Sequence, residues 1–291
     1  GPFDIAHGHS SKAGALLRLA ARGSEAARLY TPHAPVTMDP TLSAGARFVY
    51  GTAERLLAHF CERIICVSVA ERDHLASIGL PEGKLCVVHN GIKSLPATDR
   101  DASRRQLQLD PDTVCFGFVG RISHQKAVDR MISAFAMARS RMGNAHLAII
   151  GDGPLLDEMQ SLASKLGIAR DVTFTGHANG IEMMAGFDVF VLPSRYEGLP
   201  YVLLEAAASG LPIITTDVGG AGVVVQNGEN GYVLPEQNVE LLADRLTELA
   251  RNDELRRAMS ARSAQIAHEF SVDRMVADTV DVYDEVLAAR A

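Results

Sequence analysis

The sequence contains no tryptophan, and aromatic residues fill only 5% of its 291 positions. A platform that stacks the bases of single-stranded nucleic acid needs more rings than that. Positive charge is short as well: 28 Lys and Arg stand against 35 Asp and Glu, for a formal net charge of -7. The chain therefore has no basic footprint for a phosphate backbone, and nucleic acid is not expected as a partner. No apolar run reaches the roughly 18 residues that a bilayer-crossing helix requires, and no secretory leader is visible. The four cysteines, Cys61, Cys66, Cys86 and Cys115, form no C-x-x-C pair, so a zinc site is not expected. Cys66, Cys86 and Cys115 lie in apolar runs and read as buried, reduced thiols of a cytoplasmic protein. No complete G-x-G-x-x-G occurs, which argues against a hydride-transferring dinucleotide enzyme. Nor does a Met open the chain; Gly1-Pro2 reads as a tag remnant or the start of a fragment.

What is present fits a globular protein: 47% hydrophobic and 22% charged residues. The length suggests two domains. Residues 1–105 hold 13 Lys and Arg against 10 Asp and Glu, whereas residues 106–291 hold 15 against 25. Short, almost continuous apolar runs at 63–68, 84–89, 113–119, 146–151, 171–175, 187–192 and 212–216 predict strands covered on both faces. Amphipathic stretches at 10–22, 43–62, 69–78, 127–142, 154–167, 199–209, 238–251 and 253–290 predict helices, the last broken at Phe270-Ser271, where Ser271 is a candidate N-cap. Their alternation implies an α/β protein built on doubly wound parallel sheets. The polar stretch 93–112 separates the charge-distinct halves. The domains are therefore placed at 1–105, a partial N-terminal unit of about four strands, short for a doubly wound domain, and at 106–270.

In such sheets ligands gather outside the carboxyl ends of strands. Gly120-Arg121-Ile122-Ser123-His124-Gln125-Lys126 opens a helix with two cations, and reads as a diphosphate site or as a solvated surface loop. Gly151-Asp152-Gly153-Pro154 has only part of a dinucleotide fingerprint, and a tight turn into a helix explains it. Glu197 precedes a glycine turn and Glu205 lies in the next helix; the pair reads as sugar and ribose ligands or as two solvated carboxylates. Asp4–Lys12 reads as a strand end running into a helix. Its His7 and His9 lack further metal-ligand partners, so hydrogen bonding at a cleft is the better reading, and a structural role better still for at least one of them. Tyr30-Thr31-Pro32-His33 and Val88-His89-Asn90-Gly91 read as strand-end turns. Asp99-x-Asp101 and Asp110-x-Asp112 superficially match acidic metal clips but fall beside helix-start and turn signals.

These loops, in this order, resemble the retaining glycosyltransferases of family 4. Gly120-Arg121 with Gln125-Lys126, the Gly-Asp-Gly-Pro turn and the run Asp188–Ala208 (DVFVLPSRYEGLPYVLLEAAA) match that family's donor-site segments. Val67–Leu75, Val88–Ile92 and His7–Gly14 resemble its N-terminal segments, the last of them in members that build polysaccharides. The resemblance implies a GT-B fold: two Rossmann-like, doubly wound domains facing a cleft, the N-terminal one incomplete because members carry further strands ahead of His7, and a terminal helix at 271–291 returning to it. A partner chain completing that domain is an accompanying expectation. It implies transfer of a sugar from a nucleotide-diphosphate sugar to a glycan or lipid-linked acceptor, with retention and without a metal or other cofactor, in the cytoplasm and in peripheral contact with the inner face of the membrane. Arg121 and Lys126 are expected on the diphosphate, Glu205 on the ribose, and Glu197 and His9 on the transferred sugar, with His7 as second choice to His9. Gly120 belongs to the diphosphate turn. Gly198, Leu199, Pro200 and Tyr201 are expected to line the pocket, and Gly176 and His177 to sit by the base. After strand 212–216, Gly219-Gly220-Ala221-Gly222-Val223 stands where members often have Gly-Gly-x-Pro-Glu, so a carboxylate is missing there. The alternative expectation is a nucleotide-sugar-binding module inactive in transfer for want of its acceptor half.

Overall fold

Strands that are apolar along their whole length must be covered on both faces. The computed structural model, which describes residues 3–20, 25–235 and 238–290, covers them in two separate compact units. In the first, β1 (Ile5–His9), α1 (Ser10–Ala20), β2 (Ala27–Thr31), α2 (Ala44–Ala58), β3 (Arg63–Cys66), α3 (Val69–Ser77) and β4 (Leu85–Val87) build a four-stranded sheet in the order β1-β2-β3-β4. Every pairing is parallel. Side chains alternate across it: Tyr30, Ile64 and Cys66 pack with Ala58 and Leu75 on one face, and Leu29, Ile65 and Val88 on the other. Arg18 is wholly buried between α1 and α2, its Nη1 donating to Glu54 Oε2 at 2.9 Å while its guanidinium lies 3.9 Å over the Tyr30 ring.

The second unit runs from Ile92 to Arg195 and from Tyr201 to Glu269. It holds α4 (Arg100–Gln106), β5 (Val114–Val119), α5 (Val128–Ala138), β6 (Ala145–Ile150), α6 (Leu156–Lys165), β7 (Val172–Gly176), α7 (Gly180–Met184), β8 (Val189–Leu192), α8 (Tyr201–Ala208), β9 (Ile213–Thr216), α9 (Ala221–Val224), β10 (Gly231–Leu234), α10 (Val239–Arg251) and α11 (Asp253–Ala267). The sheet order is β10-β9-β8-β5-β6-β7, parallel throughout. From β5 the chain winds outward to β7, then restarts at β8 on the other side of β5. This reversal is the doubly wound arrangement. The break expected at Phe270-Ser271 is present: the Ser271 side chain accepts from Arg274 N and caps α12 (Val272–Ala288), whose Val282 and Val286 close the second face of the first sheet.

Several elements differ from the sequence expectation. β2 is a strand although Arg28 interrupts its apolar run; the Arg28 N–H donates to Glu62 at 2.7 Å. β10 is hidden by the turn residues Asn227–Asn230, and its Gly231 passes so close to β9 that a Cβ would sit 1.9 Å from Ile213 O. The first unit ends at Gly91, ahead of the polar stretch expected to hold the boundary. Much of that stretch is structured. Asp99 caps α4 by accepting from Ala102 N rather than serving a metal clip, and buried Arg104 reaches Asp188 Oδ2 and the carbonyls of Gly186, Asp110 and Thr113. Cys61, Cys66 and Cys115 are buried free thiols and Cys86 is half-buried; burial pushes Cys61 and Cys86 up to about 11, away from thiolate chemistry. Residues 21 and 22 of the expected helix 10–22 lie outside the described residues, as do Gly1-Pro2, Glu236 and Ala291. No helix among the described residues is long and apolar enough to cross a membrane.

Arg104→Ala removes the buried one of the two arginines on Asp188 and takes a donor from four carbonyls, those of Gly186, Asp110, Pro111 and Thr113. It is expected to lower the stability of the second unit by roughly 3 kcal/mol, read as a shift in the calorimetric transition; an unchanged transition would show α4 to be a passive linker.

Candidate functional site

The reversal of strand order lies between β5 and β8, so the loops leaving these two strands flank a crevice at their carboxyl ends. The β5 loop carries Gly120, Arg121 and Lys126. It is braced from β6: Gly120 N donates to Ile150 O, and Ile122 N to Asp152 O at 2.9 Å. Gly151 and Gly153 are glycines because of this brace. A Cβ on Gly151 would lie 2.0 Å from Gly120 O, and one on Gly153 would lie 2.2 Å from Ile122 O. The Gly-Asp-Gly turn is thus a buttress for the cationic loop, as its tight-turn reading has it. Arg121 is exposed, and the Lys126 stem runs close to Gly120. The β7 end joins the same buttress, with Gly151 N donating to Gly176 O at 2.9 Å; the neighbouring His177 is exposed.

From the β8 side, Arg195 ties its loop to the loop that follows β5. Its backbone N–H donates to Gln125 O at 2.8 Å, and its guanidinium bonds His124 O and pairs with Asp129 Oδ2 at 3.0 Å. Sequence reading missed this clamp. The visible signal is a lone Arg inside the PSRYEG run, with an Asp in the first turn of the helix after β5. Tyr201 opens α8 and Glu205 follows one turn on. The Glu205 carboxylate is half-buried, burial raises its pKa, and no hydrogen bond reaches it among the described residues. A carboxylate held so is prepared to accept from ligand hydroxyls.

The remaining expected residues lie in the first unit. Tyr196–Pro200 fall between β8 and α8 in sequence and were expected in domain 106–270, yet they cluster with the first unit. Asn90 Nδ2 donates to Leu199 O at 2.7 Å. A Cβ on Gly198 would lie 2.8 Å from Val67 Cγ2 and 3.1 Å from Ala34 N, so only glycine fits without movement. Glu197 is buried. At the ends of β1 and β2 three histidines meet. His7 has both ring nitrogens engaged, Nδ1 with Tyr283 Oη and Nε2 with Thr31 Oγ1, each at 2.8 Å. His9 lies 4.2 Å from the His7 ring and meets His33 through Nδ1 at 3.0 Å, which leaves its Nε2 as the nitrogen open to a ligand. Burial and the neighbouring rings lower the His7 pKa to about 4; burial also lowers those of His9 and His33. No group of three or more His, Cys, Asp or Glu side chains is arranged to hold a metal ion among the described residues.

The model of the family described as Glycosyl transferases group 1 matches residues 99–265, more than half of the chain. The chain belongs to the glycosyl transferases group 1 family. The model for Glycosyltransferase Family 4 matches residues 1–94. Among similar proteins is the uncharacterized glycosyltransferase MJ1607 of Methanocaldococcus jannaschii, 30% identical over 76% of this chain and 59% of its own length; the chain thus spans about three-fifths of that relative. The UDP-Gal:alpha-D-GlcNAc-diphosphoundecaprenol alpha-1,3-galactosyltransferase of Escherichia coli is 26% identical over 98% of this chain and 76% of its own length. The crystal structure of Anabaena Alr3699/HepE in complex with UDP and glucose superposes with a TM-score of 0.87 at 20% identity, covering 97% of this chain and 78% of that one. This likeness shows the GT-B fold.

The histidine cluster makes a prediction about pH. His7 stays neutral in the folded chain down to about pH 4, whereas its unfolded value is 6.5. Its contribution to stability is therefore full above pH 6.5 and is lost as pH falls toward 4, by at most about 1.4 kcal/mol per pH unit. Denaturant unfolding should show the stability gap between the wild-type chain and His7→Gln narrowing from pH 7 to pH 5. An equal gap at both would mean that His7 takes its proton normally.

Proposed function

We propose that this group 1 glycosyltransferase is a retaining enzyme that moves a sugar from a nucleotide-diphosphate sugar to a hydroxyl of a glycan or lipid-linked acceptor, without a metal. The observation that carries the reading is the pair of loops at the β5/β8 reversal, one cationic and one opening a helix with a carboxylate in its second turn. On this reading Arg121 and Lys126, flanking Gly120, neutralise the diphosphate, helped by the N–H groups of the first turn of α8. Glu205 accepts from the ribose hydroxyls, Tyr201 lines the phosphate side, and Gly176 and His177 border the base. In the first unit, His9 and Glu197 bond the transferred sugar, with Gly198, Leu199 and Pro200 shaping that turn. The activity for which the E. coli relative is named, galactose transfer onto a diphosphoundecaprenol-linked GlcNAc, supports an acceptor of this class.

The chemistry follows from where charge develops. The bond between the anomeric carbon and the phosphate oxygen breaks, and negative charge grows on the diphosphate. Fixed cations and helix N–H donors stabilise it there without reorganising. The acceptor oxygen forms its bond on the face the phosphate leaves, and its proton passes to the departing phosphate oxygen, which keeps the anomeric configuration. No carboxylate is required as a covalent nucleophile.

Isothermal titration with UDP, GDP and ADP tests the donor half. One of them is expected to bind, and Arg121→Ala and Glu205→Ala are each expected to weaken it by roughly tenfold or more, the cost of losing a hydrogen bond to a charged group. Binding of none, or indifference to both substitutions, removes the donor assignment. Binding without turnover of any nucleotide sugar on a lipid-diphosphate-linked sugar acceptor would favour the non-catalytic binding module instead.

A further inference from the structure

We propose that His33 is the positioning residue of His9: through one shared proton it fixes which ring nitrogen of His9 is protonated, and so what Nε2 of His9 presents to the sugar, an inference that rests on the role given to His9 above. His9 Nδ1 and His33 Nε2 are 3.0 Å apart, and the rings are nearly parallel at 23°. Each neutral imidazole carries a single N–H, so a contact of this length needs one ring to donate and the other to accept. If His33 donates from Nε2, His9 must carry its own proton at Nε2; if His9 donates from Nδ1, its Nε2 is an acceptor. The state of His33 is thereby read out at the far nitrogen of His9. His7 cannot compete for this proton, since both of its nitrogens are tied to Tyr283 and Thr31.

The backbone beneath His33 is held in a costly conformation. His33 has φ 53° and Ala34 φ 64°, the left-handed region that residues other than glycine seldom occupy. Such conformations persist where surrounding structure over-determines them. Here the determinant is the buried Glu71 carboxylate, whose Oε1 accepts from Ala34 N and Oε2 from Val67 N, each at 2.7 Å, while Ser68 Oγ in turn accepts from Glu71 N at 3.1 Å. The start of α3 thus anchors the β2 loop, the loop aims His33, and His33 sets His9. The sequence showed His33 only as part of a strand-end turn.

Long-range 15N–1H imidazole spectra of the full chain test the coupling without any substrate. The wild-type chain should show His9 as one dominant tautomer. In His33→Ala, His9 should move to the averaged shifts and the higher pKa of a solvated imidazole, and His33→Gln, whose amide can meet Nδ1, should restore the ordered state. In turnover of the nucleotide sugar used by the wild-type chain, His33→Ala should lower kcat by roughly a hundredfold with donor KM nearly unchanged. His33→Gln should recover most of that loss, and His33→Ala should cost nothing further in a His9→Ala background. Unchanged His9 shifts in His33→Ala, or additive losses in the double variant, overturn the proposal. A turnover indifferent to His9→Ala instead overturns the assignment of His9 itself and the catalytic half of this proposal, and the spectra then decide the coupling alone.

Discussion

The pairing of β5 with β8 is the constraint on which the second unit depends. These strands are neighbours in the sheet but begin windings in opposite directions. Right-handed crossovers that start in opposite directions put their helices on opposite faces, so the loops leaving β5 and β8 have to part. A crevice at that point is a consequence of topology before any side chain is chosen. The side chains then decide what it holds, and here they place cations on one lip and a helix start with a half-buried carboxylate on the other.

A junction that splays its loops needs to be held elsewhere, and this one is pinned at both ends. At the amino ends of the strands, Asp188 accepts from Cys115 N at 2.8 Å and is gripped by Arg100 and Arg104. At the carboxyl ends, Arg195 ties the β8 loop to Gln125 and Asp129. Both pins join an ion pair to a backbone hydrogen bond, so each satisfies polar main chain that the reversal leaves without a ladder partner. The Arg104 pin also explains why α4, which reads as linker, belongs to the second unit. The Gly-Asp-Gly turn completes the support by letting the β6 loop approach the β5 loop at backbone distance.

What could be read from the sequence follows burial. β5, β6, β8 and β9 are apolar along their length because both faces are covered, and they stand out as uninterrupted runs. β2 showed only its end, at Tyr30-Thr31, because Arg28 near its start, paired with Glu62, breaks the apolar run, and β10 was hidden, being four residues long beside a turn. The places of Arg121, Lys126 and Glu205 were visible because each follows a strand end and precedes or lies in a helix, the edge to which parallel sheets bring their loops. The unit to which Tyr196–Pro200 belong was not visible, since membership depends on Asn90 and Val67, more than a hundred positions away. Arg195 and His33 escaped for the same reason: their partners lie 66 and 24 positions distant, respectively, and no local pattern connects them.

The two sheets differ in strand order, and with it in what their carboxyl edges can hold. The first sheet advances β1-β2-β3-β4 without reversal, so it creates no crevice among its described strands. What it does create is a row, since parallel strands bring all their carboxyl ends to one edge. His9 ends β1, Thr31 and then His33 end β2, Ser68 and Glu71 follow β3, and His89 and Asn90 follow β4. Hydrogen bonds run along this row, from His9 to His33, from Ala34 to Glu71 and from His89 to Val67 O. A concave cationic junction favours a compact, highly charged diphosphate. A line of directional donors and acceptors, with its one carboxylate consumed by the backbone N–H groups of Ala34 and Val67, suits hydroxyl partners, whose recognition rests on direction more than on charge. Burial lowers the pKa values of His7, His9 and His33, so at this end of the row the imidazoles are held as neutral donors and acceptors, which select a partner by direction, and not as cations, which would select it by charge.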